Sequence, residues 1–443
     1  MFITKENDSV LNNISFTFGA SIISLLIGTS IGIIIARTLG PSGKGLLAVI
    51  AMVGTVVLTL GNLGIGAFNT YAISNKSVEK KDLIGNSFWL GLIIGSICFL
   101  IVLIFAFNFP VIFRNIPRSY LLLYLISLPF LFLSNFFSGI LTGEQKFRKL
   151  NIFSIITQAI NLIGVILLLL VFKLDVFYVL IWYVLVNTIN ALFPMGFIFL
   201  TDGIYFNFNL QLLKKALNYG LKICLAGIFA LLVLRVDLYM VNFFKGAAEA
   251  GLYSLASNFG NIFFILPSSI IAVIFPKINA EDKTRKELIA KYSRISLFLV
   301  FLMATGALLF IRPVIELLFG QAFLASTRPI ILLLPGLIAW SVASVLSQYF
   351  LSIGYPLKLT ISWFLVAVLN IILNFIYIPQ YGMAAAALSS SATYLLALCF
   401  HCYFFNKETG MSFYDIFIPR KAEIKSIFER IKGFLRKNIK NDV

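Results

Sequence analysis

Long apolar runs, each separated from the next by a short polar segment, follow one another along nearly the whole chain of 443 residues. A helix needs about 20 mostly apolar residues to cross a bilayer, and by that measure the sequence predicts twelve spans. The predicted spans are residues 13–37, 45–73, 83–107, 119–142, 151–172, 176–200, 219–243, 251–276, 292–313, 327–351, 359–378 and 382–405. The connections are too short to hold a separate domain. The expected fold class is an all-α polytopic membrane protein.

Composition supports this class. Hydrophobic residues make up 60% of the chain and charged residues 12%, and the mean hydropathy is +0.97. Soluble domains carry roughly 25% charged residues, so a soluble fold of this sequence would lack polar groups for its surface. The first apolar run, from Ile14 to Ala36, is long enough to span, and no secretory signal peptide is expected.

The net charge of +17 is distributed in short basic clusters between the apolar runs. If the N-terminus lies in the cytoplasm, 26 of the 35 basic residues fall on the inner side, as the positive-inside rule requires. The sequence therefore predicts that both termini are cytoplasmic, and it does not predict nucleic-acid binding.

Two segments are predicted to lie at the membrane surface. Residues 208–218 connect spans six and seven. The tail at 420–440 carries apolar residues at helical spacing among lysines and arginines, the pattern of a helix on an anionic leaflet. A solvated charged tail is the alternative.

The sequence also contains an internal repeat. LGPSGKGLL at 39–47 matches KGAAEAGLY at 245–253 with an offset of 206, and KLNIFSIITQAINLI at 149–163 matches KLTISWFLVAVLNII at 358–372 with an offset of 209. Six spans per half give both halves the same orientation, related by a pseudo-twofold axis along the membrane normal. The expected domains are bundles at 1–205 and 206–405 and a cytoplasmic tail at 406–443. Chance similarity between apolar segments is the alternative.

Sequence signatures of catalysis are missing. The GPSGKG segment at 40–45 lacks the spacing of a phosphate-binding loop. Cys399 and Cys402 form a CxxC that encloses His401, but the motif lies within an apolar run rather than beside a βαβ unit. The sequence therefore predicts a protein that is not an enzyme, with no metal site and no cofactor.

Two charges interrupt the seventh predicted span, LRVDLYMV at 234–241. Each of Arg235 and Asp237 costs about 3 kcal/mol on insertion scales, and residues two apart on a helix do not face each other. Each therefore needs a partner on another helix, a water molecule or a substrate. A hydrated substrate path and a structural charge network between helices are both open.

Other polar groups are candidates for the same path. Arg37 and Lys44 lie at the outer ends of spans one and two, and Lys222 lies at the inner end of span seven. Single amides and tyrosines in spans are more often helix–helix hydrogen bonds than ligands. The candidates of this kind are Asn62, Asn69, Tyr71, Asn258 and Asn261.

Three segments resemble those of a known family: ARTLGPSGKGLLAV at 36–49, RVDLYMVNFFKGAAEAGLYSLA at 235–256 and LNIILNFIYIPQYGMAAAALSS at 369–390. They look like the polysaccharide transporter family, the Wzx-type flippases of O-antigen and capsule assembly, in the superfamily that also contains the MATE exporters. The resemblance implies two six-helix bundles in a V around a central cationic cavity. It also implies that Arg37 ends span one and that Asp237 is the membrane aspartate near the start of span seven, which makes Asp237 the candidate carboxylate if an ion is coupled.

The resemblance implies movement of undecaprenyl-diphosphate-linked oligosaccharide from the inner to the outer leaflet of the bacterial cytoplasmic membrane. The expected partners are that substrate, anionic lipids at the tail and the polymerase of the same pathway. A MATE-like exporter of small molecules is the alternative, although such a protein should line its cavity with acids. A membrane polymerase is a third possibility, which the short outer loops oppose.

Overall fold

The computed structural model describes residues 2–274, 282–353 and 357–418, together with Arg420 and Glu423. Side chains are described except at 2–15, 222–223, 225–226, 272–274, 282–284 and 357–358. The described part is 90% helical and contains no strand, which confirms the all-α prediction. Of the predicted tail helix at 420–440, only Arg420 and Glu423 fall within the described residues.

Thirteen α-helices are present in the described ranges. They are α1 Phe2–Gly61, α2 Ile65–Ser74, α3 Lys80–Asn108, α4 Arg118–Leu125, α5 Leu128–Gly143, α6 Phe147–Ile166, α7 Val176–Asp202, α8 Leu210–Lys245, α9 Ala247–Ile274, α10 Asp282–Phe319, α11 Thr327–Ser352, α12 Leu357–Thr409 and α13 Phe413–Phe417. Residues 210–218, predicted to lie at the membrane surface, continue into α8 as one helix.

Ten helical segments among the described residues are long and apolar enough to cross a membrane, and the chain is a multi-span membrane protein. Two of them, Phe16–Gly61 and Leu359–Thr409, have 46 and 51 residues. At 1.5 Å per residue these are about twice as long as a bilayer core of roughly 30 Å requires. Each is broken at a glycine with positive φ, Gly40 at 64° and Gly382 at 58°. Division at these glycines agrees with twelve spans, and the two-bundle arrangement stays a prediction.

The second predicted span is itself discontinuous. It consists of the end of α1 and the short helix α2, separated by a turn at residues 62–64. Leu63 and Gly64 both have positive φ, at 50° and 73°. Broken helices in spanning segments leave backbone groups that need partners within the protein, and here the backbone N–H of Ile65 bonds to the carbonyl of Asn62.

Backbone breaks recur at matching positions in the two halves of the sequence. The pairs of positive-φ residues are Gly40 with Gly246, Asn115 with Gly320, Lys173 with Gly382, and Gly203 with Gly410. Their offsets of 206, 205, 209 and 207 residues differ by at most one residue from the nearer of the two sequence-echo offsets, which are 206 and 209. A left-handed conformation is unfavourable for most residues, so its recurrence at the connections agrees with the predicted internal repeat.

The chain divides into two compact units, each described here by itself. The first unit comprises residues 1–257, 313–329 and 370–386, and the second comprises 258–312, 330–369 and 387–443. In the first unit α3 packs closely on α5 at Gly95. A Cβ added to this glycine would lie only 2.4 Å from Cα of Pro129, so no larger residue fits there without a shift. Small residues allow such close approach of helices in membranes.

Side-chain contacts define two ends of the first unit. At the basic end (residues 74–82, 143–149 and 202–215), Lys80 forms ion pairs with Glu144 and Asp202. At the glycine end (residues 37–45, 109–118 and 242–251), the segments on either side of Gly40 and Gly246 meet. The basic end is the one that the positive-inside rule predicts to be cytoplasmic.

In the second unit, Arg294 fixes α13 to α10. Its guanidinium is buried and donates to both carboxylate oxygens of Glu423 and to the backbone carbonyl of Asp415. Hydrogen bonds from Arg294 and Arg420 hold the pKa of Glu423 below its usual range although burial alone would raise it. The charge of Arg294 is thus compensated where it is buried.

Candidate functional site

Asp237 lies on α8 and is buried, with 2% of its surface exposed. Its carboxylate accepts hydrogen bonds from the hydroxyl of Tyr253 on α9 and from the backbone N–H of Leu238. Gly246, with φ 88°, joins α8 to α9 and turns the chain so that Tyr253 reaches Asp237. These hydrogen bonds reduce the cost of burying a carboxylate in an apolar segment.

Arg235 is separated from Asp237 by about 200° around α8. Its side chain is half-buried and makes no hydrogen bond or ion pair with any described residue. As the sequence predicts, the two charges do not pair with each other. Arg235 therefore remains a candidate for contact with a substrate or with water, and this assignment stays a prediction.

Arg37 stands at the glycine end beside the C-terminus of α10. Its Nε donates to the carbonyl of Leu318 at 2.9 Å, and a second guanidinium nitrogen donates to the carbonyl of Leu317. The last carbonyls of a helix lack partners within the helix and carry partial negative charge. Arg37 thus caps α10, and its side chain is otherwise exposed.

Lys44 is buried at the same end, with 6% of its surface exposed. Its Nζ donates to the carbonyl of Gly32 at 3.1 Å and lies 5.2 Å and 5.8 Å from the ring centroids of Phe319 and Phe323. Aromatic faces attract a cation within about 6 Å. No described carboxylate forms an ion pair with Lys44, so this part of the first unit has excess positive charge.

Two glycines bring α1 and α9 into backbone contact at the glycine end. A Cβ built on Gly45 would lie 1.8 Å from the carbonyl oxygen of Ala247, and one built on Gly251 would lie 1.9 Å from that of Pro41. Ala247 follows Pro41 and Gly251 follows Gly45 by the same 206 residues. The contact therefore repeats with its partners exchanged, which is what a two-fold relation between the segments produces. We call it the glycine crossing.

The loop at residues 112–115, which the sequence gave no reason to single out, contacts the C-terminal part of α8 at the glycine end. The side-chain amide of Asn115 donates to the backbone carbonyl of Asn242 at 2.7 Å, and that of Asn242 donates to the carbonyl of Arg114 at 3.2 Å. The hydroxyl of Tyr239 donates to the carbonyl of Ile112. These partners are about 127 residues apart, so no local sequence pattern could have revealed them.

At the basic end, residues 203–209 lie extended along α3. The side-chain amide of Asn86 donates to the backbone carbonyl of Asn209 and accepts from its N–H, at 2.9 Å and 2.7 Å. Asp82 accepts from the side chain of Asn209, and Trp89 donates to the carbonyl of Phe206. We call this arrangement the linker clamp. Asn209 also caps α8, because its side-chain oxygen accepts from the backbone N–H of Leu212. This cap is the part of the arrangement that a sequence can indicate, since asparagine is a common N-cap residue.

Asn69 and Tyr71 occupy opposite faces of α2. Asn69 is buried and its amide donates to the hydroxyl of Ser87 at 2.8 Å and to the carbonyl of Phe136 at 3.1 Å. It therefore joins helices, the alternative that the sequence left open. Tyr71 is 43% exposed and stacks on Tyr219.

The remaining candidates lie elsewhere. Asn258, in the second unit, is exposed and accepts a weak hydrogen bond of 3.5 Å from Asn261. The side chain of Lys222 lies outside the described residues. Within the described residues, no group of three or more histidine, cysteine, aspartate or glutamate side chains could hold a metal ion.

Solved transporters share this fold. The lipid II flippase MurJ, in an inward closed conformation, aligns with 90% of this chain and 88% of its own at 17% identity and a TM-score of 0.76. A multidrug resistance MATE family transporter in an inward-facing conformation aligns with 87% and 94% at 15% identity and a TM-score of 0.73. Identities this low establish the fold alone.

Sequence comparison identifies relatives in polysaccharide assembly. The probable low-salt glycan biosynthesis flippase Agl15 of Haloferax volcanii is 21% identical over 205 residues, which are 45% of this chain and 43% of Agl15. The chain spans about half the length of the curated relatives it matches, between 41% and 58%. The sequence profile described as polysaccharide biosynthesis protein matches residues 10–280, more than half of the chain. Because this match covers more than half of the chain, the chain belongs to the polysaccharide biosynthesis protein family.

Proposed function

We propose that the protein moves an undecaprenyl-diphosphate-linked oligosaccharide from the inner to the outer leaflet by alternating access. The observation that carries the proposal is the charge inside the first unit. Lys44 is buried and Arg235 is half-buried, and neither forms an ion pair with a described residue, whereas the carboxylate of Asp237 is bonded to Tyr253. A diphosphate needs positive charge to cross an apolar layer, and arginine offers it a bidentate donor.

Ion coupling, if present, would use Asp237. It is a buried acid within a spanning helix, and its hydrogen bond to Tyr253 joins α8 to α9. Binding of a proton or Na⁺ would change the charge at this contact and so change the relative stability of conformations that differ there. The placement in the bacterial cytoplasmic membrane with both termini inside, the tail on anionic lipids and the polymerase partner belong to the same proposal.

Complementation tests the proposal directly. A flippase-deficient strain that supplies the cognate lipid-linked oligosaccharide would receive the wild type, Arg235→Ala or Asp237→Asn at equal membrane levels. Arg118→Ala is the matched control, because Arg118 is exposed and its guanidinium lies over Phe107. We expect surface polysaccharide with the wild type and the control, and a marked loss with the other two variants.

The outcomes separate the candidate functions. Full activity of both variants would remove the two charges from the mechanism and leave them a structural role. Failure of the wild type with its own substrate present would refute the flippase proposal. An ion-coupled exporter of small molecules, the function to which the MATE likeness in fold points, would then be the next candidate.

A further inference from the structure

α2 and α8 meet in a seam near the basic end. A Cβ on Gly64 would lie 2.3 Å from the carbonyl oxygen of Gly220, so the two backbones are in direct contact there. Next to this contact the ring of Tyr71 stacks on that of Tyr219, with centroids 4.5 Å apart and planes inclined by 23°. The buried Phe68 contacts Tyr219 edge to face at 6.0 Å. The two tyrosines thus have a fixed relative orientation.

The tyrosine pair is rigidly held but open on one side. The opposite face of α2 is fixed by Asn69, bonded to Ser87, and by Thr70, whose hydroxyl donates to the carbonyl of Gly139 at 2.9 Å. Tyr71 nevertheless remains 43% exposed. Neither tyrosine hydroxyl bonds to a described residue, so both are available to a ligand.

Two lysines accompany the tyrosine pair. Lys215 is exposed and lies four residues before Tyr219 on α8, which places it on the same helix face. Lys76 is exposed just after α2 and has a left-handed backbone with φ 48°. Neither lysine forms an ion pair with a described carboxylate. The same ends of α2 and α8 therefore carry an aromatic surface with hydroxyls at its edge and two lysines that no described carboxylate pairs.

We propose that Tyr71 and Tyr219 bind the sugar next to the diphosphate of the substrate, while Lys76 and Lys215 bind the diphosphate itself. The assignment rests on the proposed flippase function. A pyranose ring presents apolar C–H groups on its faces and hydroxyls around its edge, which matches the apolar body and polar tip of tyrosine. Lysine binds phosphate as a flexible point charge. The seam lies at the end of the unit predicted to face the cytoplasm, where the substrate is loaded.

Binding to the full-length protein in detergent, measured by native mass spectrometry, tests this subsite. The probes are undecaprenyl diphosphate carrying one N-acetylhexosamine and undecaprenyl diphosphate without sugar. We expect the wild type to prefer the glycosylated lipid by roughly tenfold, because the sugar covers part of a tyrosine face. Tyr71→Leu should bring this ratio close to one while sugar-free binding persists, and Tyr71→Phe, which keeps the stacked ring, should retain most of it.

Two controls complete the design. Tyr178→Leu removes a tyrosine of matching exposure, 45%, from α7, and its ratio should equal that of the wild type. Lys215→Gln should weaken both lipids by a similar factor, because both carry the diphosphate.

Several results would overturn the inference. A wild type that binds both lipids equally, unchanged in Tyr71→Leu, would make the tyrosines part of the aromatic belt at the membrane surface, with the flippase function intact. A UDP-N-acetylhexosamine that competes as well as the glycosylated lipid would assign the site to soluble nucleotide sugars instead. A wild type that binds neither lipid would refute the proposed function and the subsite together.

Discussion

A single methyl group at the glycine crossing should separate α1 from α9. In Gly45→Ala the new Cβ would lie 1.8 Å from the carbonyl oxygen of Ala247, whereas real Cβ contacts essentially never fall below 3.0 Å. The oxygen therefore has to withdraw by about 1.2 Å, the difference between these distances. Overpacking typically costs about 1–3 kcal/mol, and alanine returns about 0.5–1 kcal/mol relative to glycine in a helix. The difference is at most about 2.5 kcal/mol, and a contact this short should fall in the upper part of that range, at about 1–2 kcal/mol, a factor of roughly 5 to 30 in the equilibrium for opening this contact.

The accessibility of a buried reporter measures this effect. Ala250 is fully buried beside the crossing, so Ala250→Cys should react slowly with a maleimide in a background without Cys98, Cys224, Cys399 and Cys402. Adding Gly45→Ala should raise the reaction rate roughly 5- to 30-fold. Gly28→Ala is the control, because a Cβ at Gly28 meets no atom within 4 Å.

The reciprocal geometry gives a second, stricter test. Gly251→Ala should act like Gly45→Ala, since its Cβ would lie 1.9 Å from the carbonyl oxygen of Pro41. Once one methyl group has moved the helices apart, the other costs less, so the double variant should fall short of the sum. Equal reaction rates in Gly45→Ala and Gly28→Ala, or full additivity of the two crossing variants, would refute this reasoning.

Three further outcomes are expected. Arg37→Ala should lower the free energy of unfolding by about 1 kcal/mol, because the variant loses the hydrogen bonds that cap α10. The melting temperature in detergent should fall accordingly, and an unchanged melting temperature would contradict the capping role. Asn86→Ala removes the hydrogen bonds that hold residues 203–209 against α3, so chymotrypsin should cleave this segment severalfold faster. Asn108→Ala is the control, because the amide of Asn108 bonds only within α3, and its cleavage rate should equal that of the wild type. Equal cleavage rates in the two variants would show that Asn86 does not hold the segment. Because the pKa of Glu423 is lowered in the folded protein, the attachment of α13 should keep its full stability above the unfolded pKa of Glu423, about 4.3, and lose it as pH falls further. The hydrogen-exchange protection factors of residues 413–417, which remove the intrinsic pH dependence of exchange, should therefore fall below that pH, and Glu423→Gln should lower them at pH 7. Protection factors that are independent of pH would contradict the assignment.

The apolar runs were sufficient to predict the fold class, because a bilayer imposes helix length and apolar composition directly on the sequence. The break at residues 62–64 went unpredicted although Asn62 and Gly64 are common turn residues, because the long apolar runs on both sides keep the average hydropathy of the span high. The internal repeat stays a prediction, and the positive φ of both Gly40 and Gly246 agrees with it because turns of this kind favour glycine. For Asn69 the sequence indicated a polar group in a span but not its direction, and that direction depends on Ser87 and Phe136, which belong to other helices.

α8 explains why the contact-based units and the predicted repeat divide the chain differently. In the sequence, α8 is the first helix of the predicted second half, yet residues of the first half contact it at three positions along its length. Asn209 is fixed by Asn86 at the basic end, Gly220 touches Gly64 further along, and Asn242 exchanges hydrogen bonds with the loop at Arg114 and Asn115. α8 therefore belongs to the first unit through its packing, even if it begins the second repeat. Both sides of the glycine crossing also lie in this unit, so opening the glycine end requires separation of contacts inside one compact body. Under the proposed alternating access, a conformation that opens the glycine end would separate this contact, and the cost added at Gly45 should then alter the balance between conformations rather than unfold the protein.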